Sequence, residues 1–225
     1  MAFIELDHIT FSYTPEEEAV LKDFSLQIEQ GSCVILRGDN GSGKTTLFRI
    51  LNGLSFPEKG KYYFSGTDIT KEYLKKTENA KRFHKQIGYL FQNPDLMLFN
   101  ATVYDEIAFG PRQMGLEENE VDQRVQDCMK LFEVSELSGK APYHLSGGQK
   151  KRVAFAAVMA LNPDVLILDE PFAGLDRKTI SWMKTFFEEL KQSGKTLIIA
   201  THDDNLPEGL SDQTVDLSAE KSEDL

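Results

Sequence analysis

A glycine-rich loop constrains this chain more than any other feature of its sequence. The loop GDNGSGKTT follows the apolar run CVILRG and opens a helical pattern over 43–54, so that a buried strand, the loop and a helix follow one another. It fits the pattern G-x-x-x-x-G-K-[ST], in which glycines let backbone N–H groups converge on phosphate oxygens. A glycine-rich turn without a ligand is the alternative. The strand–loop–helix context favours a phosphate-binding loop in an α/β fold.

Side chains of this loop supply the chemistry that nucleotide phosphates require. Lys44 would bring a positive charge to the β and γ phosphates, and the hydroxyl of Thr45 would reach Mg²⁺. We therefore expect the loop to bind a nucleoside triphosphate together with Mg²⁺. The candidate nucleotide-binding residues of the loop are Gly38, Asp39, Asn40, Gly41, Ser42, Gly43, Lys44, Thr45 and Thr46.

Apolar runs and helical patterns alternate along much of the chain. The runs VLILD (165–169) and TLIIATH (196–202) resemble CVILRG, and helical patterns cover 146–160 and 177–192. Apolar strands that alternate with helices predict a parallel sheet buried on both faces. The opening HITFSY instead alternates strictly, which predicts a half-buried strand with Ile9, Phe11 and Tyr13 on one face.

Only helical patterns occur between about 91 and 160. They are TVYDEIAFG, ENEVDQRVQDCMKLFEV and GGQKKRVAFAAVMAL, and they predict a helical insertion into the α/β core. The segment TVYD fits a capping box at the start of the first of these helices. The region of Pro111 and Gly115 is expected to end that helix.

Acidic and histidine side chains follow two of the predicted strands. In VLILDE, strand alternation points Asp169 and Glu170 in different directions, so Asp169 suits a metal ion and Glu170 suits polarising the water that attacks the γ-phosphate. His202 follows TLIIAT. The carboxyl ends of parallel strands share one edge of a sheet, so these groups are expected beside Gly38. Two solvated acids and a structural histidine are the alternatives.

The segment LSGGQ places two adjacent glycines at the start of a predicted helix. Each glycine costs roughly 1 kcal/mol relative to alanine in a helix, so something else must require a bare backbone there. Ser146 can cap the helix, and the exposed N–H groups with the helix dipole favour an anion. An ordinary serine-capped helix with a flexible entry is the alternative.

Composition argues against several classes of protein. The net charge is −11 and the basic residues are scattered, which argues against non-specific nucleic-acid binding. Cys33 and Cys128 lack metal-ligand spacing and indicate a reducing compartment. We expect no membrane crossing, because the start lacks the pattern of a signal peptide and no stretch approaches 18 consecutive apolar residues.

With these motifs assembled, the chain resembles the nucleotide-binding subunits of ABC transporters from its first strand nearly to its tail. The resemblance implies an α/β P-loop NTPase core with a parallel-rich sheet, an N-terminal antiparallel β region and an inserted helical subdomain. It also implies that LSGGQ caps ATP bound by the opposite subunit, so that two chains sandwich two nucleotides head to tail. The implied signature residues are Leu145, Ser146, Gly147, Gly148 and Gln149.

The resemblance assigns further residues to the site. Gln92 matches the glutamine that meets Mg²⁺ and the attacking water, which gives Thr45, Gln92 and Asp169 as metal residues. Glu170, His202 and Gln92 are the implied catalytic residues. Asp176, at the end of AGLD, resembles the loop that crosses the dimer interface. Tyr13 resembles the aromatic residue that stacks on adenine, with a core-facing aromatic as the alternative.

One segment narrows the branch of the family. QNPDLMLFNATVYDEIAFGPRQMG resembles the energy-coupling-factor ATPases, which drive vitamin and transition-metal uptake in prokaryotes. The resemblance implies a membrane subunit whose coupling helix docks on Leu96, Met97, Leu98 and Phe99, with a buried patch as the alternative. It also implies a cytoplasmic location, peripheral on the inner face of the cell membrane.

The resemblance has departures and implies boundaries. Met97 stands where many members have glutamine, a common glycine is absent from DLSAEKSEDL, and no C-terminal extension follows. We expect one ABC ATPase domain over 1–225. Its parts are an α/β core at 1–90 and 161–217, a helical subdomain at 91–160 and a polar tail at 218–225.

Other readings of the family stay open. An export or amino-acid-uptake ATPase is one alternative, and a soluble ABC ATPase acting on DNA or the ribosome is another. The separation of Lys44 from Ser146 is too short for the long coiled coil of chromosome-maintenance members, and the chain has room for one cassette only. Both homodimer and heterodimer remain open, because the chain carries every residue of both half-sites.

Overall fold

The computed structural model describes residues 2–14, 16, 18–202, 206–207 and 209–218. The predicted polar tail lies outside these residues apart from Ser218. The strands of the described part are β1 Ile4–Phe11, β2 Leu21–Ile28, β3 Cys33–Arg37, β4 Lys59–Phe64, β5 Thr67–Asp68, β6 Ile87–Leu90, β7 Val165–Asp169, β8 Thr196–Ala200 and β9 Gln213–Asp216. The α-helices are α1 Lys44–Leu51, α2 Lys71–Leu74, α3 Thr77–Gln86, α4 Val103–Gln113, α5 Glu118–Leu131, α6 Gly147–Met159 and α7 Arg177–Gln192.

A parallel sheet with strand order β6-β7-β8-β3-β9 lies between two hydrophobic cores. Alternate residues of each central strand face opposite sides: in β7, Val165 and Ile167 join one core, and Leu166 and Leu168 join the other. The predicted parallel sheet, buried on both faces, is therefore confirmed. The sequence pattern did not predict β6, the edge strand before the helical segment, because its four residues are too few to show a clear pattern.

An antiparallel sheet of order β2-β1-β4-β5 covers one of these cores. Its strand β1 buries Ile4 and Leu6, then Ile9 and Phe11, because a register shift after Leu6 changes which positions face inward. The predicted inward face of Ile9 and Phe11 is confirmed. Tyr13 lies beyond the strand and is 53% exposed, so the core-facing alternative for it is wrong.

Helices α4, α5 and α6 lie between β6 and β7, where the sequence predicts only helices. Apolar side chains at helical spacing on α5, such as Val121, Val125 and Met129, pack into their shared core. The predicted capping box at α4 is half right. The Thr102 hydroxyl accepts the Asp105 N–H at 3.0 Å, but it also donates to the Asp105 carboxylate at 2.6 Å, so the reciprocal backbone bond is not made.

The end of α4 follows the sequence expectation. The helix passes through Pro111 and ends at Gln113, and Gly115 follows in the left-handed conformation at φ 78°. Within the described residues, none of the helices is long and apolar enough to cross a bilayer.

Gly88 allows β6 to approach α6 closely. A Cβ atom at this position would lie 2.5 Å from Cγ1 of Val158 and 2.9 Å from Cγ of Pro163. Gly88→Ala should therefore lower the free energy of unfolding by about 1–3 kcal/mol, measured by urea denaturation, because overpacking forces the helix away from the sheet. Gly139→Ala is the matched control, since a Cβ there meets no described atom within 4 Å. Equal stability of the two variants would contradict the prediction.

Candidate active site

A cavity of about 540 Å³ opens at the carboxyl ends of the parallel strands. It brings together residues that the sequence predicts from five separate segments: Tyr13, Asn40, Gly41, Gly43, Lys44, Thr45, Thr46, Gln92, Asp169, Glu170 and His202. Val20 and Ala173 also line it and were not predicted. Parallel strands end at one edge of their sheet, which is why segments so far apart in the chain meet here.

The glycine-rich loop leads from β3 into α1. Gly43 occupies the N-cap position of α1 at φ 109°, a conformation that residues with a side chain rarely adopt. In the described structure, no side chain caps this helix, and its first turn carries no acidic residue. The amide N–H groups at its start therefore remain available for an anion, which the helix dipole favours.

The ammonium group of Lys44 lies across this loop. It donates hydrogen bonds to the backbone carbonyls of Gly38 and, at 3.0 Å, of Asp39. Nearby, the hydroxyl of Ser42 is buried without a hydrogen-bond partner among the described residues. Both polar groups would gain partners from phosphate oxygens entering the loop.

Tyr13 lies at the edge of the same cavity. Its hydroxyl is 2.9 Å from the hydroxyl of Thr46, and its ring makes an edge-to-face contact with Phe11, with the ring centroids 5.1 Å apart. These two contacts hold the ring in place while leaving much of it exposed. An exposed, fixed ring is suited to stacking on a planar ligand.

The acid pair follows β7. Glu170 adopts the left-handed conformation at φ 45°, which costs roughly 1–2 kcal/mol for a residue with a side chain. Because of this turn, Asp169 and Glu170 both line the cavity, although strand alternation predicts different directions for them. Burial, followed by the nearby charge of Glu170, raises the pKa of Asp169, while Lys44 and Lys151 oppose that rise.

The carboxylate of Glu170 lies against His202. Its Oε1 is 3.4 Å from Nε2 of His202, close enough for an ion pair if the histidine is protonated. The geometry is not that of a hydrogen bond, however, and Oε1 is buried without a hydrogen-bond partner in the described part of the chain. Glu170 also lines the cavity, and a carboxylate in that position can accept a proton from a water molecule.

The LSGGQ segment begins α6 with a complete capping box. The Ser146 N–H donates to the Gln149 side chain at 3.0 Å, and the Gln149 N–H donates to the Ser146 hydroxyl at 3.4 Å. Steric contacts within the described part of the chain do not explain why glycines occur at these two positions. Among described atoms, a Cβ at Gly147 would meet nothing within 4 Å, and one at Gly148 only Cδ2 of Leu175, at 3.9 Å.

The signature segment does not join the phosphate loop. Ser146, Gly148 and Gln149 line a different cavity, of about 390 Å³, together with Asp176, while Leu145 is buried in the core. Asp176 caps α7 by accepting hydrogen bonds from the backbone N–H and the hydroxyl of Thr179, which lower its pKa.

Lys151 is a residue that the sequence reasoning missed. It is 3% exposed, and its ammonium donates to the backbone carbonyl of Glu170 at 2.6 Å. Burial lowers its pKa to about 8, against the opposing charges of Glu170 and Asp169. The sequence does contain a signal for this residue. Positions 151, 154, 155 and 158 of α6 have the spacing of one buried helix face, and Lys151 is the charged residue on this otherwise apolar face.

Comparison with known proteins decides the family. The ABC transporter family profile matches residues 21–173, which include the glycine-rich loop, LSGGQ and the acid pair. This chain belongs to the ABC transporter family. It is an ATP-binding subunit of the ABC type and an ATPase, with the α/β P-loop fold that the sequence predicts.

Curated relatives of this ABC ATPase include transport ATPases. It is 47% identical to the nickel import ATP-binding protein LarO of Lactiplantibacillus plantarum over 88% of the chain and 82% of the relative. It is 42% identical to the energy-coupling factor transporter ATP-binding protein EcfA of Methanocaldococcus jannaschii over 92% of the chain and 72% of the relative.

Solved structures of similar proteins have the same fold. CbiO1 of Clostridium perfringens, described as part of the ABC transporter complex cbiONQ, matches with a TM-score of 0.81 and 35% identity, over 96% of this chain and 84% of that one. A dimeric ATP-binding cassette in a post-hydrolysis state, bound to ADP and Pi, matches with a TM-score of 0.86 and 28% identity, over 96% and 94% of the two chains.

Lys44→Ala should weaken ATP binding roughly 10- to 100-fold, because it removes a charged hydrogen-bond donor from the loop that receives the phosphates. Titration with a fluorescent ATP analogue measures the change. Lys61→Ala, which removes an exposed lysine from β4, should bind ATP like the unmodified chain. ATP binding by Lys44→Ala that matches this control would rule out the role of Lys44.

Proposed function

We propose that this ABC ATPase powers an energy-coupling-factor type importer of vitamins or transition-metal ions. Two ATPase subunits would act together on the inner face of the cell membrane, bound to an integral membrane subunit. The observation that carries the proposal is the split site: one cavity gathers the phosphate loop and the acids, while the bare glycines of the signature face open space elsewhere. The similarity to LarO, EcfA and CbiO1 supports the choice of branch.

In this proposal the cavity holds ATP. The loop from Gly38 to Thr46 surrounds the phosphates with amide N–H groups, and Lys44 exchanges its carbonyl partners for phosphate oxygens. The half-exposed ring of Tyr13 stacks on adenine at the cavity edge. The loop is expected to bind ATP before the partner's LSGGQ segment does, because the helix-terminus charge effect at that segment amounts to only about 0.3–2 kcal/mol.

The residues around the cavity fit Mg²⁺. Thr45, Gln92 and Asp169 offer oxygen ligands, which this ion prefers, and they line the same cavity as Lys44. No group of three or more acidic, histidine or cysteine side chains that could hold a metal by itself occurs in the described residues. That suits an ion that keeps several waters and is held partly by substrate phosphates. When bound, Mg²⁺ would neutralise charge on the β and γ phosphates.

Hydrolysis would depend on Glu170 and His202. The carboxylate of Glu170 would accept a proton from the water that attacks the γ-phosphate, and His202, which lines the same cavity, would contact the γ-phosphate. Gln92, on the segment that follows β6, orients the same water. Electrostatic stabilisation by Lys44 and by amide N–H groups of the loop supplies the remaining catalysis.

The signature would complete the site of a second subunit. Ser146 and the amides of Gly147 and Gly148 would contact the γ-phosphate bound by the partner, which explains glycines that nothing in their own chain requires. Asp176 would lie at the same interface, since it lines the cavity beside Ser146. ATP would thus hold the two subunits together until it is hydrolysed.

An apolar surface before α4 supports the membrane subunit as partner. Leu96 is 74% and Phe99 67% exposed, which disfavours a buried patch for these two, while Met97 and Leu98 pack partly against the helical core. Two hydrogen bonds secure this segment, because the buried Glu106 carboxylate accepts the N–H groups of Phe99 and Asn100 at 2.8 and 2.7 Å. An exposed apolar patch on a fixed backbone is typical of a docking surface.

The proposal also assigns the parts of the chain. Residues 1–90 and 161–217 would form the ATP-binding core and 91–160 the helical signature subdomain, within one domain. Gln92 lies close to the boundary, two residues after β6 ends.

An ion pair connects the apolar surface at 96–99 to α6, the helix that LSGGQ begins. It joins Asp95, next to that surface, to Lys150 on α6 at 2.6 Å. Movement at the membrane side would therefore reach the signature directly.

Glu170→Gln should reduce ATP hydrolysis on the order of 10²- to 10⁴-fold while leaving ATP binding intact, because the amide cannot accept the proton. With MgATP, the molar mass of this variant in solution should double, measured by light scattering. Undiminished turnover would sink the role of Glu170. A variant that binds ATP but stays monomeric would mean that a paralogous subunit or the membrane subunit completes the site.

The same background isolates the signature. Adding Gly148→Ala should abolish the ATP-dependent doubling, because a methyl group would occupy the place of the partner's phosphate. Stability of the monomer should be unchanged or rise by up to about 1 kcal/mol, since alanine is the better helix former. Gly139→Ala, also open to solvent space, should leave the doubling intact.

Phe99→Asp should prevent recovery of the ATPase with a co-expressed energy-coupling-factor type membrane subunit, because a charge at an exposed position of the apolar surface opposes docking. Co-purification in detergent measures the effect. Leu54→Asp changes an exposed leucine at the end of α1 and should not affect recovery. Hydrolysis by the isolated ATPase should be the same in both variants. Equal recovery of both would exclude this surface as the docking site.

A further inference from the structure

Lys151 links the signature helix to the turn that carries Glu170. Its ammonium donates to the carbonyl of Glu170 at 2.6 Å and approaches that of Ala173 at 3.4 Å. Lys151 lies on α6, five residues after its cap Ser146. The contact therefore joins two segments that have different tasks: one faces the partner's nucleotide, and the other faces the nucleotide of the same chain.

A lysine is a costly choice for this position. The side chain is almost completely buried, and a buried ammonium must recover in hydrogen bonds and charge pairing what it loses in hydration. The Lys151 ammonium offsets its lost hydration by hydrogen bonds to backbone carbonyls and by attraction to the charges of Glu170 and Asp169. The neighbouring positions on the same face of α6, such as Phe155 and Val158, are apolar and solvate no charge.

The contact falls on a strained residue. Glu170 has its backbone in the left-handed region, where a residue with a side chain persists only if its surroundings hold it. Its N–H donates to the carbonyl of Ala200 on β8 at 2.9 Å, and its carbonyl receives Lys151 from α6. The backbone of Glu170 is thus held from both sides. This conformation is what turns the carboxylate toward the cavity beside Asp169.

We propose that Lys151 is a positioning residue for Glu170. Its ammonium holds the turn 170–173 in the conformation that directs the carboxylate to the attacking water, and it couples this turn to the signature helix. Binding of the partner subunit's γ-phosphate at Ser146 would consequently affect the position of the Glu170 carboxylate in the chain that carries this Ser146. The inference rests on the proposed role of Glu170 as general base.

A role limited to filling the core predicts a different result from a positioning role. Loss of packing would lower stability and affect ATP binding and turnover together, in proportion to the unfolded fraction. Loss of positioning would lower kcat selectively. Lys151 is not among the residues that line the cavity with the phosphate loop, so ATP binding should be retained, whereas a small displacement of the base costs a large factor in rate.

The test is Lys151→Met in the full chain, in the assembly that hydrolyses ATP. We expect kcat to fall about 10- to 100-fold, with the Kd for a fluorescent ATP analogue within about threefold of the unmodified chain. The Met side chain replaces the aliphatic part of lysine and lacks its ammonium group, and the Glu170 carbonyl keeps its hydrogen bond from the Ala173 N–H at 3.2 Å. If Lys151→Met does not fold, Lys151→Gln, whose hydrogen-bond donor lies one bond closer to the backbone than the lysine ammonium, must still show a selective loss of kcat, smaller than that expected for Met.

Lys191→Met is the matched control. Lys191 also donates to two backbone carbonyls, of Gly209 and Leu210, and to a carboxylate, that of Asp212, but it lies away from the cavity. It should lose thermal stability with kcat unchanged within about twofold.

Three outcomes separate the hypotheses. A kcat for the folded Lys151 variant within twofold of the unmodified chain, with Glu170→Gln inactive, overturns the positioning role. Parallel losses of kcat in the Lys151 and Lys191 variants, following their stability, overturn it as well. Retained turnover in Glu170→Gln would instead refute the proposed role of Glu170, independently of Lys151.

Discussion

The parallel pairing of β3, β7 and β8 is the constraint on which the cavity proposed to bind ATP depends. β3 leads into the phosphate loop, β7 ends at Asp169, and β8 ends just before His202. Backbone hydrogen bonds align these strands residue by residue, from Val34 beside Ile198 to Leu168 beside Ile199. Burial on both faces fixes the register, because a slip by one residue would exchange the two cores. The alignment of the strands therefore brings the three chemical groups to one edge of the sheet.

Strain and burial at this edge are concentrated on a few groups. Glu170 adopts a left-handed backbone, Asp169 is partly removed from water, and Lys44 bonds to carbonyls of its own loop. The left-handed backbone of Glu170 and the burial of the Asp169 carboxylate each cost free energy. The rigid sheet beneath them bears that cost. This is a general property of sites built on the ends of buried strands.

The sequence predicted the regular elements well where the pattern was long or the ends were marked. Helix α7 was predicted at 177–192 and has those bounds, because Asp176 caps it and apolar residues recur at helical spacing. The short strand β6 was missed, since four residues carry too little pattern. Tyr13 was predicted on a strand face and lies beyond the strand. Alternation from Ile9 onward is a real signal, but it contains no information on where the strand stops.

Some residues of the candidate site could be identified from the sequence and others could not. Residues in contiguous motifs, from the phosphate loop to the acid pair, could be identified as candidates because their chemistry depends on local spacing. The direction of Glu170 could not, since one left-handed residue overrides the alternation that a strand implies. Lys151 could not be assigned a partner either, because helical spacing places it on a buried face without saying what that face meets.

By itself, the sequence determined which groups this ABC ATPase offers to a nucleotide, because loop glycines, caps and strand-end acids act through neighbours a few residues away. Only the tertiary structure decided which of these groups share a cavity. It placed the phosphate loop, Gln92, the acid pair and His202 together, whereas Ser146, Gly148 and Gln149 of LSGGQ line a different cavity. The physical reason is that strand order and burial, which act between distant segments, determine the position of every motif relative to the others.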